Sequence, residues 1–254
     1  MDCRLMRIRL MINDLFSSYI MKTLLLICTL FLSAVALGQR CHCTHYVLLK
    51  ERISCKPIVF NNHSKLFWSY NCDSSWLTFK GPTGKRKVIF SLGGGLVELT
   101  TRLGYVDFTE FKSTFLVTNN VISGCCDPQD YYVHDKTSGN LIKYLGRAIF
   151  VSDDKNLPFV VSVTNSGYDT KLKAVLNSLT IYDLDNNKEY RIVLAPGEIE
   201  KGIKNNEFLF PENVFEAPDL KDGKLTLSYF TENYKEVKDL RYKTIVIDLK
   251  KYMR

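Results

Sequence analysis

The sequence lacks the short motifs that mark the common enzyme classes. It contains no Gly-x-Ser-x-Gly, no His-Glu-x-x-His and no Cys-x-x-Cys pattern, so the usual signatures of serine hydrolases, zinc peptidases and dithiol oxidoreductases are missing. Histidine, the side chain that most often exchanges protons near neutral pH, occurs only 4 times in 254 residues. These absences favour a protein that binds over one that catalyses.

Complete nucleotide-binding and calcium-binding loops are missing as well. Gly81–Lys85 resembles the end of a phosphate-binding loop, but Phe79 stands where the first glycine is needed. Asp183–Asn187 begins like a calcium loop, but Lys188 replaces the glycine that the sharp turn requires. We therefore expect no cofactor, and we interpret both segments as hairpin turns.

Long apolar runs are scarce, and the clearest one lies near the N-terminus. Leu24–Val35 is mostly apolar, follows Lys22, and precedes the small residues Ala36 and Gly38. This arrangement is typical of a secretory signal peptide, whereas a membrane-spanning helix needs about 20 apolar residues. We predict a signal peptide over residues 1–38, cleavage after Gly38, and no membrane span after cleavage.

The first 20 residues fit this signal poorly, because Asp2 and Asp14 interrupt them while Met21 begins a complete signal. Either the translation start is assigned too early, or the signal has a long polar front. The mature chain then has a cysteine-rich segment over residues 39–75 and a β-rich domain over residues 76–254, packed together as one unit. We expect secretion to the periplasm or to the outside of the cell.

The charge balance is only mildly basic. The chain has 34 lysines and arginines against 27 aspartates and glutamates, a formal net charge of +7. A small excess spread along the whole chain supports solubility and does not indicate a nucleic-acid partner. Export argues against nucleic acid as well.

Six cysteines remain after the signal peptide, and an even number in an exported chain indicates disulfide bonds. They are Cys41, Cys43, Cys55, Cys72, Cys125 and Cys126. Many pairings are possible. Because Cys125 and Cys126 are adjacent, we expect each to pair with a different distant cysteine of the front segment, which would clamp the loop that follows them.

A metal site is the alternative interpretation of the front segment. Cys41, Cys43 and His45 alternate along the chain, so on an extended strand their side chains would lie on the same side. Thiolate and imidazole ligands suit zinc or copper, and Cys55 or His63 could complete the set. Disulfides are preferred because exported thiols tend to be oxidised.

Most of the chain from Trp76 onward alternates short apolar runs with turn residues, which is typical of β-strands joined by hairpins. Asp222-Gly223 before Lys224 is a strong hairpin signal. Outside this regular pattern we predict strands at Tyr46–Lys50, Pro57–Phe60 and Leu96–Leu99, and short helices around Leu172–Leu179 and Ile199–Ile203.

These patterns predict an all-β fold of mainly antiparallel strands in a single domain, with a disulfide-stapled N-terminal segment. β-forming residues followed by aspartate occur at Tyr132–Asp135, Thr180–Asp183 and Ile245–Asp248, and Trp76–Phe79 repeats the layout without the aspartate. The aspartates are 48 and 65 residues apart, an irregular spacing for a repeat. Two architectures stay open, an irregular sandwich and a degenerate propeller.

The segment Cys125–Asp135 is the densest in chemically active side chains. A loop clamped by two disulfides would be pre-organised for recognition, and tyrosines favour contacts with proteins or glycans. The candidate ligand-binding residues are Asp127, Asp130, Tyr131, Tyr132, His134 and Asp135. They predict an exported, non-catalytic protein that binds a protein or a glycan of the cell envelope.

Two other functions stay open. Carboxylates at Asp127, Asp130, Asp153 and Asp154 could serve a secreted hydrolase if the fold brings two or more of them into one cleft. The front cysteines with His45 could instead make a metal-binding periplasmic protein.

Overall fold

Fifteen β-strands, paired into four antiparallel sheets, form the framework of the described chain. The computed structural model describes residues 41, 43, 47–122, 128–167, 171, 173–206, 208–231 and 242–253. Strands account for about half of these residues, and the helices are short. The all-β prediction is confirmed.

Each sheet consists of strands that follow one another along the chain. Sheet 1 contains β1 (Ile58–Val59), β2 (Lys65–Tyr70), β3 (Ser74–Lys80) and β4 (Arg86–Gly93). Sheet 2 contains β5 (Gly104–Glu110), β6 (Thr114–Asn120), β7 (Asp130–Asp135) and β8 (Leu141–Arg147). Sheet 3 contains β9 (Phe150–Val151), β10 (Phe159–Thr164), β11 (Val175–Asp183) and β12 (Lys188–Val193). Sheet 4 contains β13 (Phe215–Lys221), β14 (Lys224–Phe230) and β15 (Tyr242–Asp248).

This strand order distinguishes the two architectures that the sequence leaves open. Neighbouring strands in every sheet are also neighbours in sequence, so each sheet is an up-and-down meander. A sandwich is built with connections that cross between its sheets, whereas consecutive meanders of about four strands are the blades of a propeller. The described fold is therefore propeller-like.

Three hydrophobic clusters join the sheets in sequence order, sheet 1 to 2, 2 to 3 and 3 to 4. Successive side chains of a strand point to opposite faces, so sheets 2 and 3 each bury one face against the preceding sheet and the other against the following sheet. The three junctions are marked by Phe79 with Phe115, by Leu116 with Val160, and by Ile181 with Leu225.

The aspartate pattern seen in the sequence marks equivalent positions in sheets 2, 3 and 4. The third strand of each sheet is β3, β7, β11 or β15, and the last residues of these strands are Lys80, Asp135, Asp183 and Asp248. The pattern is therefore a structural repeat. Its spacing along the chain is irregular because the connections between sheets differ in length.

Turn chemistry explains why aspartate recurs at these strand ends. Oδ1 of Asp183 accepts hydrogen bonds from the backbone N–H groups of Asp185 and Asn186, at 3.0 and 2.9 Å. Oδ1 of Asp135 likewise accepts hydrogen bonds from the backbone N–H groups of Thr137 and Ser138, at 3.1 and 2.6 Å. Four residues after the strand end, a residue with positive φ completes three of the turns: Gly84 (85°), Gly139 (70°) and Asn187 (55°).

The four front cysteines pair with one another, Cys41 with Cys55 and Cys43 with Cys72. The front segment is therefore stapled, as predicted. The expectation that Cys125 and Cys126 each pair with one of these four is wrong, because all four are already bonded. Cys125 and Cys126 themselves lie outside the described residues.

Two strands predicted from sequence are replaced by helical turns. Helix α1 (Val47–Arg52) occupies most of the predicted strand Tyr46–Lys50, and Leu49 is buried on it, four residues before the buried Ile53. A 3₁₀ turn over Gly94–Leu99 replaces the strand predicted at Leu96–Leu99. That turn follows β4 directly because Gly94 adopts a positive φ of 56°, which ends the extended conformation.

The two predicted helices have opposite outcomes. Helix α2 (Glu198–Asn206) confirms the prediction at Ile199–Ile203, and it buries Ile199. The helix predicted around Leu172–Leu179 is wrong, because β11 begins at Val175 and its apolar side chains pack within the sheet. Leu172 lies outside the described residues.

The predicted hairpin at Asp222-Gly223 joins β13 to β14, and both turn residues have positive φ, 53° and 76°. Strand β13 itself was not predicted, because Pro218 reads as a break. Pro218 is tolerated because β13 is an edge strand with a bulge near Ala217, where the N–H that proline lacks is not needed for strand pairing. Strand β2 was also missed.

Within the described residues, no helix has the length and apolar character needed to cross a membrane. The apolar run Leu24–Val35 lies outside those residues.

Candidate functional site

The segment predicted to be a binding loop is an inner strand. Asp130 to Asp135 form β7, which lies between β6 and β8. Asp130, Tyr132 and His134 are buried, while Tyr131 and Asp135 are half-buried. The expectation that a loop displays these side chains is wrong, because alternate side chains of an inner strand enter the cores on the two faces of the sheet. Asp127 lies outside the described residues.

His134 is a core residue. Its Nε2 lies 3.1 Å from the Tyr105 hydroxyl oxygen, its Nδ1 lies 3.2 Å from the carbonyl oxygen of Gly139, and its ring stacks on Phe115. A carbonyl can only accept, so Nδ1 carries the proton and Nε2 accepts from the Tyr105 hydroxyl. Burial lowers the pKa of His134 more than the Gly139 carbonyl raises it. The imidazole is therefore held neutral.

A set of polar side chains, the charge cluster, consists of the buried Asp130, Ser166 and Glu212 and the half-buried Tyr144 and Arg147. The Tyr144 hydroxyl donates to Oδ2 of Asp130 at 2.5 Å, and Nε of Arg147 lies 4.0 Å from Oδ1. Burial raises the pKa of Glu212, while Ser166 and Arg147 nearby act in the opposite direction. The cluster thus connects β7 and β8 to the end of β10 and to the connection before β13.

Two glycines allow the backbone to close around this cluster. A Cβ on Gly146 would lie 1.5 Å from the carbonyl oxygen of Ser166, and a Cβ on Gly167 would lie 2.1 Å from the Tyr144 hydroxyl oxygen. Both glycines have positive φ, 73° and 144°. The turn after β10 is therefore held directly against β8.

Of the four carboxylates considered for a hydrolase, the three that the structure describes are not brought together. Asp153 and Asp154 are exposed in the turn after β9, whereas Asp130 is buried in the charge cluster. The side chain of Asp154 caps its own turn by accepting from the Asn156 N–H at 2.8 Å. These acids do not form an open pair for acid–base catalysis.

The front cysteines considered as metal ligands are taken up by disulfide bonds. Cys41 and Cys43 are disulfide-bonded and so are not thiolates, and His45 lies outside the described residues. No group of three or more potential ligands occurs in the part of the chain that the structure describes.

The interface between sheets 2 and 3 changes character along its length. At one end, Leu116 and Leu145 of sheet 2 pack with Val160 and Tyr182 of sheet 3. At the other end, the same face of sheet 3 carries hydroxyl side chains, because the residues of β10 and β11 that continue this face beyond Val160 and Tyr182 are serines and threonines. We call these four side chains the hydroxyl ladder: Ser162, Thr164, Ser178 and Thr180.

Hydrogen bonds fix the orientation of the hydroxyl ladder. Oγ1 of Thr164 lies 2.9 Å from both Oγ of Ser178 and Oγ1 of Thr180. From the adjacent strand β12, Nε of Arg191 donates to Oγ of Ser178 at 2.7 Å. Hydroxyls can donate and accept at the same time, so Thr164 and Thr180 keep hydrogen-bonding capacity for a ligand.

The two sheets separate at the hydroxyl ladder and leave a cleft of about 550 Å³. This volume lies in the range of small-molecule binding sites. Nζ of Lys143 on β8 and Oε1 of Glu189 on β12 are 2.8 Å apart and bridge the two sheets at the cleft. The lining comes from Lys143–Gly146 of β8, Ser162 and Thr164–Ser166 around the end of β10, and Thr180 and Glu189–Arg191 of β11 and β12.

This cleft was not predicted from the sequence. The signal that could have revealed it is the presence of Ser162 and Thr164 in β10 (Phe159–Thr164), a strand that is otherwise apolar. Ser178 and Thr180 similarly flank the buried Leu179. The two pairs become one polar surface only once the register of β10 and β11 is known.

No protein-family description and no curated protein matches the chain. Among solved structures, the chain is similar to the β-propeller domain of the Trilobed protease from Pyrococcus furiosus, which is described as having an open velcro topology. The two are 13% identical with a TM-score of 0.30, and the match covers 76% of this chain and 53% of the other.

Proposed function

We propose that the protein is exported, is not an enzyme, and binds a glycan in the cleft between sheets 2 and 3. The observation that carries this proposal is the hydroxyl ladder. On every other sheet-to-sheet junction described, the facing side chains form an apolar cluster, whereas Thr164 and Thr180 face an open cleft. Hydroxyl groups at such a position contribute little to packing and suit hydrogen bonds to a ligand rich in hydroxyls.

The shape of the cleft favours a glycan over a protein partner. Protein interfaces are broad, with about 800 Å² buried on each side. A concave site of about 550 Å³ instead suits one or a few sugar rings. Leu145 adds an apolar contact for the C–H face of a ring.

The charges that line the cleft support binding without catalysis. In the described part of the lining, these charges are Lys143, Glu189 and Arg191. Glu189 is the one carboxylate among them, and it is paired with Lys143. Glycosidases with the usual mechanism need two carboxyl groups facing the scissile bond.

Export is supported by two separate features. The run Leu24–Val35 has the pattern of a signal peptide. The disulfides Cys41–Cys55 and Cys43–Cys72 suit an oxidising compartment such as the periplasm or the extracellular space.

Isothermal titration of the purified protein with a panel of neutral and acidic oligosaccharides tests the proposal. The Thr164→Val variant removes one hydroxyl of the ladder with little change in shape, and we expect it to weaken binding by about tenfold. Thr226→Val on β14 is the matched control, because this half-buried threonine does not line the cleft. Absence of binding to the whole panel would contradict the proposal, as would equal binding by the two variants.

A further inference from the structure

We propose that the cleft selects a glycan with a single negative charge, carried by a carboxylate on a sugar ring, and that Arg191 binds this carboxylate. This inference rests on the proposed function, because it specifies the ligand of the same cleft. Three features carry it: the anchoring of Arg191, the balance of charge along the lining, and the position of Arg191 beside the hydroxyl ladder.

Arg191 is anchored at one end and open at the other. Its Nε donates to Oγ of Ser178, which is completely buried. Its two terminal nitrogens have no hydrogen-bond or ion-pair partner in the described part of the chain, and the residue lines the cleft. A planar guanidinium held in this way presents two parallel N–H donors, the geometry that matches the two oxygens of a carboxylate.

The charges that line the cleft favour a ligand with one negative charge. Lys143 and Glu189 neutralise each other across the two sheets. Among the described residues of the lining, Arg191 therefore leaves one net positive charge. A carboxylate balances this charge, whereas a phosphate monoester, with a charge of about −1.5 to −2 at neutral pH, would leave an excess of negative charge.

The strand register places the hydroxyl ladder beside Arg191. Thr180 on β11 is the direct cross-strand partner of Arg191 on β12. Side chains of such pairs have Cβ atoms about 5 Å apart. A carboxylate on Arg191 therefore brings the ring that carries it over Thr180, and Thr164 lies next to it through a 2.9 Å hydrogen bond. This spacing suits a uronic acid, in which the carboxylate is attached directly to the ring.

The test is isothermal titration with three trimers of the same backbone: galactotriose with one terminal ring replaced by galacturonate, neutral galactotriose and galactotriose with one sulfate group. We expect wild-type protein to bind the trimer with one galacturonate about tenfold more tightly than galactotriose, with the preference falling as salt concentration rises. Arg191→Gln should abolish the preference, because the variant has no guanidinium to pair with the carboxylate. Arg191→Lys, which keeps the charge but not the planar fork, should retain part of it. Arg102→Gln is the matched control, because this exposed arginine does not line the cleft.

The outcomes separate this inference from the proposed function. Equal binding of the neutral and acidic trimers, or a preference that survives in Arg191→Gln, would overturn the inference while the proposed function stands. Tightest binding of the sulfated trimer would overturn the assignment to a carboxylate. Failure of all three trimers and of the wider oligosaccharide panel would overturn the proposed function and the inference together.

Discussion

A Cβ atom on Gly139 would lie 2.4 Å from Cδ1 of Phe79, so the hairpin between β7 and β8 sits directly against a buried ring of sheet 1. Gly84 occupies the equivalent position in the hairpin of sheet 1, and its φ of 85° is close to the 70° of Gly139. Beyond its two chain neighbours, no atom of the described residues lies within 4 Å of the corresponding Cβ position at Gly84. The two glycines therefore share a backbone conformation and differ in their surroundings.

This difference predicts unequal effects of the same substitution. Gly84→Ala should lower the free energy of unfolding by about 1–2 kcal/mol, the cost of a left-handed conformation for a residue with a side chain. Gly139→Ala should carry that cost plus about 1–3 kcal/mol for displacing the Phe79 ring. Urea unfolding of both variants measures the difference. Equal losses would show that Gly139 is not packed against sheet 1.

His134 predicts a loss of stability in mild acid. Burial lowers the pKa of His134 in the folded protein, so as pH falls below about 6.5 the unfolded chain binds a proton that the folded protein does not. The free energy of unfolding should therefore decrease as pH falls through this range. His134→Gln cannot titrate, so its unfolding free energy should change less between pH 7.5 and pH 5.5. Parallel curves for the two proteins would contradict a neutral, buried His134.

Glu212 predicts a pH effect of the opposite sign. Burial raises the pKa of Glu212, so as pH rises above the ordinary value of 4.5 the unfolded chain loses a proton that the folded protein retains. The wild-type protein should therefore lose stability in this range relative to Glu212→Gln, which stays neutral. Chemical unfolding at several pH values from 4 to 8 tests this. A difference between the two proteins that does not grow with pH would argue that Glu212 is ionised in the fold.

The disulfide pairing can be mapped directly. Digestion without reduction should yield cross-linked peptides that join Cys41 to Cys55 and Cys43 to Cys72. Replacing Cys43 and Cys72 together with alanine should lower the free energy of unfolding by about 2–4 kcal/mol, because the unfolded chain regains the freedom of the closed loop. A peptide that joins any of these four cysteines to Cys125 or Cys126 would contradict the pairing.

Local patterns in the sequence were enough to predict the all-β class and several of the hairpins. Asp222-Gly223 predicted its turn because adjacent residues with positive φ bend the chain whatever surrounds them. The recurring aspartate was visible for the same reason, since Asp183 bonds to backbone groups only two and three residues away. Its meaning as a repeat was not visible, because the connections between sheets vary in length.

The predictions that failed depend on packing between distant segments. Whether Asp130 and His134 are displayed or buried is decided by the position of β7 inside its sheet and by the sheets on either side, which no local pattern specifies. The front cysteines could be recognised as disulfide-forming, but their partners could not, since pairing requires the backbone positions of the whole segment.

The cleft is the clearest case of a feature that only the tertiary structure decided. The sequence by itself determined that Ser162 and Thr164 alternate in one strand and that Ser178 and Thr180 alternate in another. The register of β10 and β11 places the four hydroxyls on one face, and the packing of sheet 2 on sheet 3 brings Lys143 to Glu189 across the opening. Periodicity along a strand shows which side chains share a face, but which face meets a neighbouring sheet and which meets an open cleft depends on contacts between residues far apart in the chain.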